Sequence, residues 1–239
     1  AASMPEKALV HTGVDSLTIR TAGGGDTITV HEPSSGNLAP VVELLGQDEN
    51  DFVEINLATN GSSSTYNVDL GGGADDTFGY FTRSAGADAI DVTNNVAVAV
   101  LPGSPAKTTN FAGVEYLQLF SYGGDDTISI TEPASGAFPP LVLVDTEAGN
   151  DNVSLRLGLA TVATTHVISL GSGVGDRLVI DTNSTADDSI AADYNAPFYS
   201  AAVRLGPSNP NKQILHMGTD SLTLATGAGN DTISVAEPS

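Results

Sequence analysis

A Gly-rich turn closed by an aspartate recurs along this chain of 239 residues. Asp26, Asp51, Asp76, Asp126, Asp151, Asp176 and Asp231 end turns that read GGGD, GQDEND, GGGADD, YGGDD, EAGND, GSGVGD and GAGND. The first six fall on one 25-residue grid with a single skipped place near Leu101. The last is displaced by five residues, which places an insertion between Ile190 and Val203. A period of this length narrows the possible folds sharply. One repeat cannot bury its own apolar side, so each must stack on the next.

The residues after each turn repeat as well. Two places past the aspartate stand Ile28, Val53, Phe78, Ile128, Val153, Leu178 and Ile233; four places past it stand Val30, Ile55, Tyr80, Ile130, Leu155, Ile180 and Val235. Between them lie Thr29, Glu54, Gly79, Ser129, Ser154, Val179 and Ser234. This period-2 alternation predicts a strand with one buried face. A second short strand is expected before each turn, as in SLTIR at 16–20, VVELL at 41–45, YLQLF at 116–120, LVLVD at 141–145 and SLTLA at 221–225. Around Val68 and Ile168 that strand slips by one residue relative to the aspartate.

A longer repeat lies above the short one. Residues 1–34 match 206–239 with 18 of 34 pairs identical, and 115–136 match 15–36. Ser84–Ile90 parallels Ser184–Ile190. The larger unit is four repeats, three with the Gly-Asp turn and one without. One elongated domain over 1–239 is expected, with units 1–102, 103–205 and a partial 206–239.

The fold these patterns predict is all-β: a parallel β-helix, or β-solenoid, of about nine coils. Ile28 should lie over Val53 and Val53 over Phe78, at the ordinary strand spacing of about 4.8 Å. An array of β-sandwiches also accommodates a 100-residue offset, but it leaves the 25-residue period unexplained. A hydrophobic content of 40% supplies a core. The net charge of −21 argues against nucleic acid and anionic membrane as partners. Without cysteine there is no disulfide framework or thiolate chemistry. No apolar run reaches a membrane span of about 20 residues.

The turns GAGND-T-I at 227–233, EAGND-N-V at 147–153 and GGDD-T-I at 123–128 resemble the Gly-Asp nonapeptide of RTX calcium-binding β-rolls. That resemblance implies Ca²⁺ held between successive coils by turn carbonyls and carboxylates. The residues it points to here are Asp26, Asp51, Asp75, Asp76, Asp125, Asp126, Asn150, Asp151, Asp176, Asn230 and Asp231. The pattern departs from the family in occurring once per 25 residues rather than every nine, and GQDEND has lost a glycine. Stacked carboxylates about 5 Å apart repel by roughly 1 to 3.5 kcal/mol per pair, which a cation would reverse. Two metal-free readings compete. The side chains either fan into water from ordinary Asx turns, or stack as a hydrogen-bonded Asn/Asp ladder.

Other residues follow the repeat. His11 and His216 are equivalent, and Lys7, Lys107 and Lys212 recur at unit boundaries, where salt bridges between coils are expected. No H-x-E or HExxH spacing occurs. Every carboxylate belongs to a series, whereas a catalytic pair should break the repeat at one place. An enzyme is therefore not expected. The strong irregularity is DYNAPFYSAAVRLGPSNPNK at 193–212, the place for a carbohydrate-binding or polysaccharide-degrading site if the chain carries one. The aligned Thr27, Thr77, Thr127 and Thr232 are interrupted by Phe52, Asn152 and Arg177, which argues against an ice-binding array. The expected function is a structural segment of a bacterial extracellular fibre, surface layer or adhesin stalk. Its partners would be copies of itself stacked end to end, with glycans or the cell surface as further partners.

Overall fold

The computed structural model describes residues 14–35, 39–159, 162–182, 184–195 and 198–236. Lys7 and His11 lie outside them. The described residues form twenty strands and no α-helix. They build two ten-stranded sheets. The first sheet runs, neighbour to neighbour, β1 (Ser16–Arg20), β3 (Val41–Asp48), β5 (Thr65–Gly72), β9 (Lys107–Ala112), β8 (Val96–Val100), β7 (Ala89–Thr93), β11 (Thr127–Thr131), β13 (Asn152–Arg156), β15 (Arg177–Asp181), β19 (Ser221–Ala225). The second runs β2 (Thr27–His31), β4 (Phe52–Leu57), β6 (Thr77–Thr82), β10 (Tyr116–Phe120), β12 (Leu141–Asp145), β14 (Thr165–Ser169), β18 (Lys212–Met217), β17 (Phe198–Arg204), β16 (Ser189–Asn195), β20 (Thr232–Val235). Most neighbours are parallel, as a parallel β-helix requires.

The pairing registers follow the alternation. Ile28 pairs with Val53 and Val53 with Phe78; Val30 pairs with Ile55 and Ile55 with Tyr80. All six are buried, while Thr29 and Glu54 between them face outward. Each full burial of such a side chain stabilises by about 1.5–3 kcal/mol. One contiguous core joins the inward faces of both sheets. The one-residue slips are also present: Leu44 pairs with Val68, and Val144 with Ile168.

The structure departs from a simple winding in two places. β7, β8 and β9 pair antiparallel in succession within the first sheet. β16, β17 and β18 do the same within the second. The skipped place near Leu101 is therefore a doubled-back excursion, and the 193–212 irregularity has a counterpart at 89–112. The β7–β8 turn has a local cause. Asn94 and Asn95 have φ of 51° and 62°, which is the conformation of the two-residue turn that matches strand twist in hairpins.

Each excursion spends three strands in one sheet before the chain crosses. The crossings therefore exchange roles. Before the first excursion the Gly-Asp turns lead from the first sheet to the second, as in β1 to β2. Between the two excursions they lead from the second to the first, as in β10 to β11, and after the second they lead from the first to the second again, as in β19 to β20. Strands equivalent in sequence, such as β1 and β10, lie in opposite sheets. All strands of the first sheet but β8 run in one direction, so the two kinds of crossing sit at opposite edges. The expected single column of aspartates is in fact divided between two edges.

Candidate functional site

The turn aspartates occupy two positions with opposite surroundings. Asp51, Asp76, Asp126, Asp151 and Asp176 turn inward and are buried. The residues just before the first four of these, Asn50, Asp75, Asp125 and Asn150, are exposed. Asp26 and Asp231 are half-buried, and Asn230 is exposed.

The inward carboxylates make a seam. At the first edge the Asp26 amide donates to Asp51 Oδ1 at 2.9 Å, and the Asp51 amide to Asp76 Oδ1 at 2.7 Å. The Asp76 amide continues the series to Glu115 Oε2 at 3.0 Å. At the opposite edge the amides of Asp88, Asp126 and Asp151 donate to Oδ1 of Asp126, Asp151 and Asp176, at 2.8, 2.9 and 2.8 Å. The Asp176 amide reaches Asp220 Oδ2 at 3.2 Å. Beyond the second excursion the Asp188 amide donates to Asp231 Oδ1 at 2.9 Å. Each turn thus gives its neighbour a charge-assisted hydrogen bond, of the kind worth more than a neutral one.

Asp88, Asp188, Asp220 and Glu115 were not singled out in the sequence, because none ends a Gly-rich turn of the common type. A signal existed for two of them. The match of Ser84–Ile90 to Ser184–Ile190 places Asp88 opposite Asp188. Ser84 Oγ donates to Asp88 Oδ1 at 2.8 Å, and Ser184 Oγ to Asp188 Oδ1 at 2.9 Å.

The outward positions relieve repulsion by mixing acids with amides. Asn50 Nδ2 donates to Asp75 Oδ2 at 3.3 Å. Asn150 donates to Asp125 Oδ1 from its backbone at 2.9 Å and from Nδ2 at 3.2 Å. The Asn230 amide donates to Asp187 Oδ1 at 2.8 Å. A hydrogen-bonded Asn/Asp ladder is present here.

Electrostatic tension collects at the inward column. Burial pushes the Asp126 carboxyl up to about 6, against the pull of the Asp88 amide. Burial also raises Asp76, Asp88 and Asp151. Oδ2 of Asp76, Asp126, Asp151 and Asp188 is buried with no hydrogen-bond partner. Such orphaned oxygens are what a cation would seek. Ca²⁺ requires 6–8 oxygen ligands, and the inward carboxylates arrive one per turn with Oδ1 already engaged. Among the described residues no three His, Cys, Asp or Glu side chains converge in a metal-binding group.

The recurrent lysines prove to be core residues. Lys107 Nζ lies 2.8 Å from Glu32 Oε2, and Lys212 Nζ lies 2.6 Å from Glu132 Oε2. All four side chains are buried. Tyr66 OH donates to Glu32 Oε1 at 2.6 Å, and at the matching place His166 Nε2 stands 3.0 Å from Glu132 Oε1. Burial would raise the Glu132 carboxyl. The bond and charge of His166, then those of Lys212, overcome it and hold the group down to about 2. The two clusters are counterparts at opposite edges.

No protein-family model, curated protein or solved structure matches this chain.

Proposed function

We propose that this protein is a structural, exported β-solenoid, an element of a surface fibre, surface layer or adhesin stalk. In this reading its coils repeat at 25 residues and group into four-coil units. The observation that carries the reading is the carboxylate-to-amide seam at both edges. A protein built to bind one ligand or perform one reaction concentrates its unusual groups at one place. Here the same bond is repeated turn after turn, which stiffens an axis. Ten strands side by side span roughly 45–50 Å. In this reading copies of the chain stack end to end, coil upon coil. Negative-stain microscopy and small-angle scattering over a concentration series test this. Rods that lengthen with concentration are expected; a compact particle of fixed size overturns it.

Calcium at the acidic turns belongs to the same proposal as a stiffener, and the partnerless Oδ2 atoms support it. Thermal melting with calcium and with EGTA is the test. A rise of several degrees is expected, and an unchanged melt removes calcium from the reading.

A second reading is a carbohydrate-binding surface at the 193–212 excursion. The Tyr199 ring stacks on His216 with centroids 5.2 Å apart, beside Asp193 and Asp220 in one hollow. Deleting residues 194–198 should abolish glycan binding there, and unchanged binding discards the site.

A further inference from the structure

Lys107, Asn60 and Glu32 meet in one buried pocket although they come from three separate parts of the chain. Lys107 opens β9, Asn60 lies between β4 and β5, and Glu32 follows β2. Their exposures are 0%, 6% and 7%. Lys107 Nζ is 2.8 Å from Asn60 Oδ1, 2.8 Å from Glu32 Oε2 and 3.0 Å from the Ser62 carbonyl. Asn60 Nδ2 donates to the Pro33 carbonyl at 2.9 Å and approaches Glu32 Oε2 at 3.5 Å. Asn60 Oδ1 also accepts the Ser62 amide at 3.2 Å and the Ser62 hydroxyl at 2.8 Å. An amine, a carboxamide and a carboxylate that touches both are therefore held together away from solvent.

We propose that Lys107 and Asn60 become joined by an intramolecular amide bond, with Glu32 as the acid–base group. Glu32 first takes a proton from the Lys107 ammonium across their hydrogen bond. The freed Nζ lone pair attacks Asn60 Cγ and forms the new C–N bond. Negative charge developing on Oδ1 meets the Ser62 amide and hydroxyl, two donors already aimed at it. Glu32 moves a proton from Nζ to Nδ2, the Cγ–Nδ2 bond breaks, and ammonia leaves. The products are a secondary amide and one ammonia, with no oxidant or reductant involved. Amide exchange is slow between free groups, but fixed neighbours gain effective molarities of about 10⁵–10⁸ M. Tyr66, donating to Glu32 Oε1, is a positioning residue that leaves Oε2 directed at the amine and the amide.

The second cluster is an internal control. Lys212 Nζ has Glu132 and the Thr164 hydroxyl beside it. The residue 100 places beyond Asn60 is Ala160, which has no carboxamide. The charge pair recurs, and the electrophile does not. Lys212 should remain a free amine. The link at Lys107 would tie the first excursion to a connection 47 residues away, at a place where a fibre under tension would otherwise peel.

The full chain, folded by circular dichroism, is denatured and its intact mass measured. The expected mass is that of the sequence less one ammonia. A tryptic digest should contain one branched peptide joining the segments that carry Asn60 and Lys107, with normal cleavage after Lys212. The unmodified sequence mass, or simple deamidation, overturns the proposal. Glu32→Gln should retain the unmodified mass, and a link formed in that variant refutes the role of Glu32. Asn60→Asp should lose one water instead of ammonia. If either variant fails to fold, the mass of the unaltered chain decides alone.

Discussion

The backbone amide of Asp126 donates to Oδ1 of Asp151 at 2.9 Å, one turn further along the same edge. Asp126 in turn accepts the Asp88 amide at 2.8 Å. Each inward aspartate is thus donor to one neighbour and acceptor for another. The acceptor role needs an oxygen but not a charge. The charge is what burial opposes, and it is the source of the upward shift at Asp126.

Replacing Asp126 by asparagine separates the two roles. The carboxamide would keep an oxygen for the Asp88 amide and shed the buried charge. Asp126→Asn should therefore raise Tm at pH 7. Asp126→Ala removes the acceptor and should cost about 1–3 kcal/mol in denaturant unfolding. An asparagine variant less stable than the parent at pH 7 contradicts this account of the column.

The pH dependence of that difference has a definite sign. The folded-state pKa of Asp126 is raised from 3.8 to about 6. Its stabilising contribution is complete below 3.8 and is lost as pH rises through 6. The advantage of Asp126→Asn should thus be full at pH 7 and above, shrink between pH 6 and 4, and vanish below. Paired thermal melts across that range check it. A difference independent of pH would mean that the carboxylate carries no burial cost.

His216 acts in the opposite direction. Burial holds its imidazole down from 6.5 to about 4. A depressed histidine stabilises above pH 6.5 and loses that contribution as pH falls through 4. NMR should show its ring neutral at pH 5 with the Tyr199 stack intact. A midpoint near 6.5 would show that the ring is in water.

Gly171 tests the closeness of the turns. Its φ is +68°, and a Cβ there would stand 1.6 Å from the Glu147 carbonyl oxygen. Gly171→Ala combines a left-handed backbone with a clash against main chain, and should cost more than about 2 kcal/mol. Gly23 has open space around it, and Gly23→Ala should stay within about 0.5 kcal/mol of neutral. Chemical denaturation of both variants provides the comparison.

The core ladder could be read directly from residues such as Ile28, Val53 and Phe78, because period-2 burial and a constant repeat both act through the side chains themselves. The slips at Val68 and Ile168 were visible for the same reason. The exchange of edges was not. VAVAV at 96–100 alternates as any strand does, and alternation carries no information about whether a neighbour runs parallel or antiparallel. Only Asn94-Asn95 hinted at a hairpin. The recurrence of Lys107 and Lys212 marked them as part of the repeat, but lysine is ordinarily a surface residue. Their burial depends on glutamates 75 and 80 positions earlier, Glu32 and Glu132, a separation no local pattern reveals.

That buried pairing supplies the last prediction. Lys212 and Glu132 have left water together, and their attraction offsets the desolvation of both. Lys212→Met removes the ammonium but leaves the carboxylate buried, with His166, Thr164 and the Gly158 amide as its remaining partners. Breaking a buried pair from one side costs about 3–5 kcal/mol. Changing Glu132→Gln as well removes the stranded charge, and exchanging a whole buried ion pair for neutral groups is often close to neutral. The double variant should therefore recover most of the stability lost by Lys212→Met. Glu132 is held down to about 2, so the pair's contribution is present above 4.5 and is lost as pH falls through 2. The destabilisation in Lys212→Met should accordingly narrow in strong acid. Urea titrations of the single and double variants at neutral and acid pH measure both effects. Equal losses in the single and double variants would mean that Lys212 contributes through its methylene packing and not through its charge.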